Sequence, residues 1–361
     1  MRYFPRLGSL FLLLAGLSIS ACDTYYEGET TDHFNGKRFF NPGSPQTGGF
    51  LRFLRWRFTR EPAPWPESVP NSHADTPPDR VEGDKLRLAF VGHATVLIQT
   101  QGLNILTDPI WAARAGPFRW LGPRRVAPPG IAFDALPRID LVVISHNHYD
   151  HLNLASLKRI HDRDGALIVV PLGNEAIIHA KHPEIRLKAL DWGDSLSAGK
   201  GVRIHLARQQ HWSARSWWDT NEALWGAHII ETPGGNIYFA GDAGYGGGKN
   251  FRAARGKFGP FRLALLPIGA YAPRWFMQYA HMNPEEAVEA FLHLEANNAL
   301  AIHFATFHQT DEPIDEPVRR LAAALRAKNL AEKQFQALLI GQSWEVPQIG
   351  KAAKERKQND R

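Results

Sequence analysis

The sequence predicts an α/β protein with two β-sheets and helices outside them. From residue 86 onward, short runs of β-branched and apolar residues are bounded by Gly, Pro and Asp, a pattern typical of strands. Hairpin-like runs come first and strand-helix units follow, and this order indicates two sheets covered by helices. The 361 residues are 44% hydrophobic, so the chain can bury a large core.

Helical and extended stretches alternate along the chain. Residues 284–297 form the clearest helix, because Asn283 is a good N-cap, Pro284 fits the first turn, and two glutamates lie near the positive end of the helix dipole. Further helices are predicted over residues 153–164, 174–180 and 314–328. The predicted strands are LRLAFVG, TVLIQT, LNILTD, IDLVVIS, ALIVVP, VRIHLA, AHIIE, NIYFAGD, RLALLPIG, LAIHF and QALLI.

The N-terminus predicts an export signal. The basic start MRYFPR is followed by the apolar stretch LGSLFLLLAGLSIS, which is too short for a comfortable membrane span. Cys22, the only cysteine, ends this stretch in ISAC, which resembles the lipobox of bacterial lipoproteins, where the cysteine becomes the lipidated first residue. The alternative is an ordinary cleaved signal with an incidental cysteine. The resemblance implies a protein of the bacterial cell envelope, anchored to the membrane through Cys22, and Asp23 favours the inner membrane, facing the periplasm.

Four segments are expected. Residues 1–21 form the signal, residues 22–85 a tether and wrapping segment rich in Pro, Gly and aromatic residues, residues 86–345 the folded domain, and residues 346–361 a polar tail. We expect the aromatic rings of the wrapping segment to dock on the domain. These rings are Phe34, Phe39, Phe40, Phe50, Phe53, Trp56 and Phe58.

The charge balance excludes one class of partner. The formal net charge is only +6, and part of the excess lies in the C-terminal tail GKAAKERKQNDR. A dedicated nucleic-acid binder concentrates more positive charge on one face, so we expect no nucleic-acid partner. A weakly basic surface that faces anionic phospholipid is equally compatible with the composition.

The segment HNHYDH, residues 146–151, carries the strongest functional signal. It follows the apolar run LVVIS and therefore lies at the C-terminal end of a strand, where side chains converge. His146 and His148 share one face of an extended segment, and Asp150 and His151 follow as the chain turns into the next helix. The segment can supply two ligands to one metal and two to another, and imidazole with carboxylate suits zinc. Without metal, the clustered histidines would lose hydration and repel one another when protonated.

Later strand ends offer the remaining ligands of a two-metal site. His211 in RQQHW, Asp242 in YFAGDAGY and His303 in LAIHFATF each follow or end an apolar strand, so all three are expected at one edge of the sheets. An aspartate is a natural bridge, because its two oxygens can reach two cations about 4 Å apart. Taken singly, such a histidine is usually a satisfied core residue and such a Gly-Asp pair is usually a turn.

These residues resemble a known family. HNHYDH fits the H-x-H-x-D-H signature of the metallo-β-lactamase superfamily, and the later His, Asp and His follow in that family's order. The resemblance implies a four-layer αββα sandwich with residues 86–345 as the hydrolase domain. It implies two zinc ions, although the second site could hold another divalent metal. His146, His148 and His211 would bind one ion, Asp150, His151 and His303 the other, and Asp242 would bridge them.

A closer resemblance covers residues 86 to about 310. Long blocks such as FVGHATVLIQTQGLNILTDPIW, LGPRRVAPPGI and FGPFRLALLPIGAYAPRWFMQYAHMNPEEAV are similar to N-acylphosphatidylethanolamine-hydrolysing phospholipase D. The resemblance implies a phospholipid substrate, cleaved at its phosphodiester to N-acylethanolamine and phosphatidic acid.

The expected mechanism uses a hydroxide that bridges the two metals and attacks phosphorus in line. Asp150 and Asp242 then serve as ligands that tune the charge, and no serine or cysteine nucleophile is required. By resemblance, His281 in YAHMNPEE approaches the substrate head group or the leaving oxygen. The alternative for His281 is an exposed loop histidine.

Two residues are candidates to support the metal ligands. Metal-bound imidazoles usually donate their second N–H to a carboxylate or carbonyl, and Asp108 in LTDP and His93 in VGHAT are suitably placed near strand ends. Asp108 could instead only shape the turn before Pro109. His93 could be a turn residue bonded to the backbone.

Aromatic clusters on predicted loops are candidates for substrate binding. They fit either an interface with lipid head groups or acyl chains, or the core packing of long loops. We assign Trp212, Tyr271, Trp275 and Tyr279, together with His281, to substrate contacts. Neighbouring aromatic or apolar loop residues are Trp217, Trp218, Phe276 and Met277.

One departure from the family pattern follows the metal motif. The familiar continuation is DHLDY, whereas this chain has DHLNL, with Asn153 and Leu154, so acyl-chain or head-group selectivity is expected to differ. The fold hosts many reactions, and a lactonase or a phosphodiesterase for another substrate stays open. Iron-binding members typically replace the second histidine of the motif with glutamate, and His148 argues against that chemistry. A non-catalytic envelope lipoprotein is the weaker alternative, since no ligand is lost.

Overall fold

The computed structural model describes residues 24–44, 49–71 and 73–349. The predicted export signal with Cys22, and most of the predicted polar tail, lie outside the described residues. Within these ranges, the strands form two seven-stranded sheets with helices packed against them. The predicted α/β fold with two sheets is therefore confirmed. None of the helices described here is both long enough and apolar enough to cross a bilayer.

The strands and helices are numbered in chain order. The strands are β1 (Arg87–Gly92), β2 (Thr95–Thr100), β3 (Leu103–Thr107), β4 (Leu141–Val143), β5 (Leu167–Pro171), β6 (Leu187–Leu190), β7 (Ser195–Gly199), β8 (Val202–Ala207), β9 (Ala227–Glu231), β10 (Ile237–Phe239), β11 (Leu263–Pro267), β12 (Asn298–Ile302), β13 (Phe335–Gln336) and β14 (Ser343–Glu345). The helices are α1 (Phe50–Thr59), α2 (Leu154–Asp164), α3 (Asn174–His179), α4 (Lys249–Phe258), α5 (Arg274–Met277), α6 (Pro284–His293) and α7 (Glu316–Ala327).

Each sheet combines antiparallel and parallel pairing. The first sheet has the order β14-β1-β2-β3-β4-β5-β6, antiparallel up to β3 and parallel from β3 to β6. The second has the order β13-β12-β11-β10-β9-β8-β7, parallel from β13 to β10 and antiparallel from β10 to β7. Because β9 is antiparallel to both β8 and β10, strands β8, β10 and β12 run in the same direction.

Alternating side chains divide the interior into layers. In β1, Leu88 and Phe90 belong to the core shared with the second sheet, whereas Ala89 and Val91 belong to a separate core with residues of α2 and α3. This alternation follows from the two-residue period of a strand. Helices α4, α6 and α7 contribute apolar residues to the core of the second sheet, so the order of layers is helices, sheet, sheet, helices.

Local signals define several helix ends. The side chain of Asn283 accepts a hydrogen bond from the backbone N–H of Glu286, and the Glu286 side chain completes a capping box, so the predicted N-cap is confirmed. This helix was predicted to reach residue 297 but ends at His293, because Glu295 adopts a left-handed backbone conformation with φ +46°. Asn153 caps α2 in the same way, by accepting from the N–H of Ser156 at 3.0 Å.

Other differences from the predicted elements lie in short or edge segments. Of the predicted strand QALLI, only Gln336 pairs, together with the preceding Phe335, because the chain then leaves the second sheet and returns as β14 beside β1. Strands β6, β7 and β14 and helices α1, α4 and α5 were not predicted. Val346, placed in the tail by sequence, is buried, and its carbonyl accepts a hydrogen bond from Arg262.

The segment before β1 packs against the domain. Phe34 and Phe39 are fully buried in the core with their rings 4.6 Å apart. Helix α1 lies within this segment, and its Trp56 stacks on Phe276. Phe58, which we expected to dock, is exposed instead.

Candidate metal centre

The histidine motif joins a buried strand to a capped helix. The motif follows the C-terminal end of β4 and precedes α2, whose N-terminus is capped by Asn153. The backbone N–H of His151 donates to the carbonyl of His148 at 3.0 Å, which closes a tight turn over the last four residues of the motif. His146, Asp150 and His151 are buried, so their polar atoms are held out of bulk water.

The second sheet brings three further side chains to the motif. His211 follows β8, Asp242 follows β10 and His303 follows β12 directly. Since these strands run in the same direction, their C-terminal ends lie at one edge of the sheet. All three side chains are buried, and each comes within 4 Å of side chains from the motif.

The first cluster consists of His146, His148, His211 and Asp242. His148 Nδ1 lies 2.8 Å from His146 Nε2 and 3.3 Å from His211 Nε2. Asp242 Oδ2 lies 4.0 Å from His146 Nε2 and 3.9 Å from His211 Nε2. One ligand atom from each residue fits within 4.8 Å of the others, a separation compatible with one shared metal ion.

The second cluster consists of Asp150, His151 and His303, with Asp242 again at its edge. Asp150 Oδ2 lies 3.4 Å from Nε2 of both His151 and His303. Asp242 reaches the same two histidines, with Oδ2 3.3 Å from His151 Nε2 and Oδ1 3.1 Å from His303 Nε2. The Asp242 carboxylate therefore lies between the two clusters, as a bridging ligand requires.

Buried atoms without hydrogen bonds show that the clusters fit metal ions. Within the described part of the chain, Nε2 of His151, Nε2 of His303 and Oδ1 of Asp242 make no hydrogen bond although each atom is buried. Each such atom costs about 1–3 kcal/mol if it stays unsatisfied. Coordination of a divalent cation would satisfy them, and imidazole nitrogen with carboxylate oxygen is the donor set that zinc takes.

Asp108 holds the histidine rings from behind. Its Oδ2 lies 2.6 Å from Nδ1 of His151 and accepts a hydrogen bond from the hydroxyl of Ser145, also at 2.6 Å. Ser145 Oγ in turn lies 2.9 Å from Nδ1 of His146. Both rings are thereby fixed with Nε2 towards the centre, the usual arrangement behind a metal-bound histidine. Asp108 thus does more than shape the turn before Pro109. Ser145 was missed by sequence reasoning, although its position directly before His146 was a usable signal.

Two side chains hold the carboxylate of Asp150. His93 Nε2 lies 2.9 Å from Asp150 Oδ2, and the amide of Gln309 donates to the same oxygen at 2.8 Å. His93 is therefore bound to a side chain of the site as well as to the backbone, and it lies close enough to join the second cluster. Gln309 was not predicted, because a glutamine in the loop after His303 carries no motif.

His281 lies beside the bridging carboxylate. Its Nδ1 is 3.8 Å from Asp242 Oδ2, and its ring centroid is 5.5 Å from that of His211. The carbonyl of His281 accepts a hydrogen bond from Arg274 at 2.8 Å, which holds the loop between α5 and α6. The structure thus places His281 at the centre and not on an exposed loop.

The predicted substrate-binding aromatics occupy different positions. Trp212 is partly exposed, with its ring 4.5 Å from that of His148, and Tyr279 accepts a hydrogen bond from Asn41. Trp275 lies under the arginines of α1. Tyr271 is buried, and its hydroxyl donates to Glu316 at the start of α7, so its polar atom is engaged outside the clusters.

Burial and charge set the protonation of the first cluster. Burial holds the pKa of His146 and His211 well below the ordinary value, and it lowers the pKa of His148 to about 4. These rings are neutral near pH 7, which is the form that binds a metal. Burial also lowers the pKa of His281 to about 4, so this ring carries no charge at neutral pH.

The pKa values of the two carboxylates are also lowered, whereas that of His303 in the second cluster is raised. Although burial disfavours ionised carboxylates, the neighbouring imidazoles outweigh it and hold the pKa of Asp150 and Asp242 well below the ordinary value. The same pairing raises the pKa of His303 to about 9 against the effect of burial, with Asp242 as the main cause. Metal binding here would displace a proton from His303.

Three non-glycine residues at the site have a positive φ, a backbone conformation that is rare for residues with a side chain. His93, Asp108 and His303 have φ values of +59°, +34° and +61°, a concentration of strain that is common at functional sites. Gly241, directly before Asp242, has φ +60°, and an added Cβ there would lie 2.2 Å from Cβ of Ser145. Only glycine lets Asp242 approach the motif so closely.

Comparisons with known proteins agree with this geometry. The model of the beta-lactamase superfamily domain matches residues 103–304. Over 335 residues, the chain is 34% identical to N-acyl-phosphatidylethanolamine-hydrolyzing phospholipase D 1 of Caenorhabditis elegans, a match that covers 86% of this chain and 93% of the relative. A mitochondrial N-acyl-phosphatidylethanolamine-hydrolyzing phospholipase D of Saccharomyces cerevisiae is 34% identical over 256 residues, 69% of this chain and 54% of that protein.

A solved structure shares the fold. A metallo hydrolase from the archaeon Ignicoccus hospitalis superposes with a TM-score of 0.54 at 21% sequence identity, covering 73% of this chain and 99% of the other. At this identity the similarity concerns the fold alone, and it agrees with the order of layers described above.

Proposed function

Because the chain belongs to the N-acylphosphatidylethanolamine-hydrolysing phospholipase D family of the metallo-β-lactamase superfamily, and is therefore a metal-dependent hydrolase, we propose that its substrate is an N-acylated phosphatidylethanolamine or a closely similar lipid. The reaction is hydrolysis of the phosphodiester to an N-acylethanolamine and phosphatidic acid. The similarity to two N-acyl-phosphatidylethanolamine-hydrolyzing phospholipases D supports the proposed substrate. The two clusters of possible metal ligands support the proposed hydrolytic chemistry.

The observation that carries the proposal is the position of Asp242 between two sets of ligand atoms. Its Oδ2 lies 4.0 and 3.9 Å from Nε2 of His146 and His211 in the first cluster. The same oxygen lies 3.3 Å from Nε2 of His151, and Oδ1 lies 3.1 Å from Nε2 of His303, in the second cluster. We propose that two zinc ions bind here, one in each cluster. Bound zinc would supply positive charge to the phosphoryl oxygens and lower the pKa of a coordinated water.

The side chains around the clusters hold the metal ligands in position. Asp108 and Ser145 fix the histidine rings, and His93 and Gln309 fix the carboxylate of Asp150. His281 is neutral near pH 7, so we propose that it donates a hydrogen bond from a ring N–H to a phosphate or leaving-group oxygen and does not act as a cationic acid.

The aromatic side chains near the centre fit a lipid substrate. Trp212 lies against His148 at the first cluster, and it keeps part of its surface in solvent. We propose that Trp212, Trp275 and Tyr279 contact the lipid. Tyr271 is buried and its hydroxyl donates to Glu316, so its contact with the substrate stays a prediction.

The decisive assay offers N-acylphosphatidylethanolamine in mixed micelles to purified, zinc-loaded protein and identifies the products by mass spectrometry. We expect N-acylethanolamine and phosphatidic acid, with loss of at least a hundredfold in rate in Asp242→Asn and His148→Ala. The control is His182→Ala, which removes a histidine that pairs with Glu184 away from the clusters.

Other products separate the alternatives. Metal-loaded protein that hydrolyses bis-p-nitrophenyl phosphate but no N-acylated lipid would contradict the substrate and leave a phosphodiesterase for another compound. Hydrolysis of a lactone panel alone would favour a lactonase. Protein that takes up no metal from a zinc buffer would contradict the two-metal site itself and favour a non-catalytic lipoprotein.

We also propose that Cys22 is lipidated and anchors the chain to the bacterial inner membrane, facing the periplasm. The support is the sequence ISAC after a short apolar stretch. Metabolic labelling with an alkyne fatty acid should mark the wild-type chain and not Cys22→Ser. Equal labelling of both chains, or soluble wild-type chain after cell fractionation, would contradict the anchor.

A further inference from the structure

Helix α1 exposes large apolar side chains on its outer face. Leu51 and Phe58 are seven residues apart and therefore lie on the same side of the helix. Their exposed fractions are 80% and 81%. A surface helix of a globular protein normally turns polar residues to solvent, so the exposure of these two large apolar side chains is unusual.

The opposite face of α1 attaches the helix to the domain. The ring of Phe53 meets the ring of Trp217 edge to face at 4.7 Å, and Trp56 stacks on Phe276 at 5.1 Å with nearly parallel planes. These ring contacts pack the inner side of α1 against the domain. The outward position of Leu51 and Phe58 is consequently a fixed feature of the fold and not the result of a detached helix.

Positive charge surrounds the exposed apolar stripe. Arg52, Arg55 and Arg57 are exposed, and α1 contains no acidic residue. Among the described residues, none of the three forms an ion pair with an aspartate or glutamate, although Arg52 donates to the carbonyl of Trp275 and Arg55 lies over its ring. An apolar stripe with arginines around it is the pattern of a helix that lies in the interface of an anionic membrane.

Two exposed tryptophans lie in a loop beside α1, where Trp217 contacts Phe53 of the helix. Trp217 and Trp218 are 63% and 66% exposed, and they belong to the loop that begins at His211. Trp212 in the same loop contacts His148. Tryptophan prefers the head-group level of a bilayer, where its ring is apolar and its N–H meets water.

The surface is also coupled to His281. Arg52 and Arg55 contact Trp275 of α5, and the adjacent Arg274 donates to the carbonyl of His281. A membrane on this side of the molecule would therefore lie against both loops that carry side chains of the centre.

We propose that this surface, which we call the docking face and define as Leu51, Arg52, Arg55, Arg57, Phe58, Trp217 and Trp218, binds the surface of an anionic phospholipid bilayer. Leu51, Phe58 and the two tryptophans enter the head-group region, and the arginines meet lipid phosphates. The docking face delivers lipid to the metal centre, and in that respect the inference rests on the proposed function. It is distinct from the proposed anchor at Cys22, which lies outside the described residues.

A position-specific probe tests the docking face in the full chain, whether or not another segment also binds lipid. In a Cys22→Ser background, which has no other thiol, single Leu51→Cys and Phe58→Cys chains are labelled with a nitrobenzoxadiazole fluorophore and mixed with phosphatidylglycerol vesicles. We expect a blue shift, a severalfold rise in emission and quenching by doxyl-labelled lipid. Leu339→Cys, an exposed leucine outside the docking face, is the matched control and should show none of these changes.

Charge reversal tests the arginines. Arg57→Glu should weaken binding to phosphatidylglycerol vesicles about tenfold or more, because the change removes an attraction to the anionic surface and adds a repulsion. Arg186→Glu, the same change at an exposed arginine on another surface, should leave binding unchanged, and both variants should hydrolyse bis-p-nitrophenyl phosphate like the parent chain.

Three results would overturn the inference. Labels at 51 and 58 that stay in water, or that respond no more than the label at 339, exclude insertion. Labels already shielded without vesicles, in a species of doubled mass by light scattering, mean that a second copy of the chain covers the face. Equal insertion into phosphatidylcholine and phosphatidylglycerol contradicts the role of the arginines. Failure of the lipid-hydrolysis assay with intact insertion would contradict the proposed substrate and support the docking face alone.

Discussion

Asp108 and His151 form a fully buried pair, with Oδ2 of Asp108 2.6 Å from Nδ1 of His151. The contact directs the other ring nitrogen, Nε2, towards Asp242 at 3.3 Å. Because Ser145 donates to the same carboxylate and lies against His146, one aspartate orients a histidine of each cluster. The Asp108 carboxylate therefore supports both clusters from behind the histidine rings.

Replacement of Asp108 should weaken metal binding at both clusters. Oδ1 of Asp108 accepts from the backbone N–H of Ser145, and Oδ2 faces the Ser145 hydroxyl and Nδ1 of His151. In Asp108→Asn, an NH2 group replaces one of these two acceptors and faces a donor, so we expect about a 10- to 100-fold loss of metal affinity, the usual effect of removing such a partner. Competition with a chromophoric chelator measures the affinity. Asp134→Asn, at an exposed aspartate, is the control, and equal affinities in the two variants would contradict the orienting role.

Gln309 should stabilise the ionised form of Asp150 in the geometry that binds metal. Its amide is one of two side chains that hydrogen-bond to Asp150 Oδ2, so Gln309→Leu removes about 1 kcal/mol of support, or about a fivefold loss of affinity for the second metal ion. Stepwise titration with zinc separates the two ions. The same change at the exposed Gln278 should have no effect. A loss confined to the first ion would show that Gln309 does not act through Asp150.

The convergence of the candidate metal ligands could be predicted because each follows an apolar strand that the sequence reveals. His211, Asp242 and His303 are spread over almost a hundred residues, yet the shared direction of β8, β10 and β12 brings them together. The supporting side chains were harder to predict. Asp108 carries a turn signal that masks its contact with His151, and Gln309 depends on the path of a loop that no local pattern determines.

Two errors in the predicted elements also have physical causes. Helix α1 was not predicted, because its apolar residues lie on both of its faces and no single helical stripe appears in FLRFLRWRFT. The predicted C-terminal end of the strand QALLI was wrong because the chain crosses from the second sheet to the first. Tertiary hydrogen bonds determine this crossing, such as the one from the N–H of Gly341 to the carbonyl of Phe90. Leu338 and Ile340 in this crossing segment are buried. The segment is therefore apolar like a strand, although it does not form the backbone hydrogen bonds of a sheet.

Gly241 should tolerate no side chain. In Gly241→Ala, the new Cβ would lie 2.2 Å from Cβ of Ser145 in a backbone with φ +60°, so either Asp242 or the Ser145 turn must move. We expect loss of at least about 2 kcal/mol in the free energy of unfolding, together with reduced metal content. Thermal and urea unfolding measure the first quantity and metal analysis the second.

A second glycine provides the control for this prediction. Gly256 lies inside α4, and no atom lies within 4 Å of an added Cβ. Gly256→Ala should therefore raise the free energy of unfolding by about 0.5–1 kcal/mol, because alanine loses less backbone entropy in a helix. If both alanine variants had the same stability, close approach at Gly241 would not be what requires glycine.

His33 should make attachment of the N-terminal segment dependent on pH. Its ring lies between two carboxylates, with Nδ1 2.6 Å from Asp32 and Nε2 2.7 Å from Asp191, and it stacks on Trp192. Burial lowers the pKa of His33, but the hydrogen bond to Asp191 and then that to Asp32 outweigh it, so the pKa is raised. Arg208 also binds Asp32.

The sign of the effect follows from the raised pKa. A histidine whose pKa is higher in the folded state contributes its full stabilisation below its unfolded pKa of about 6.5, and the contribution is lost as pH rises through the folded value. Hydrogen exchange, corrected for its intrinsic pH dependence, should show the N–H of Phe39, which donates to Asn221, opening more readily as pH rises through this window. The core N–H of Ile168 should not change. In His33→Gln the opening at Phe39 should become independent of pH, and a slope that persisted in this variant would place the titrating group elsewhere.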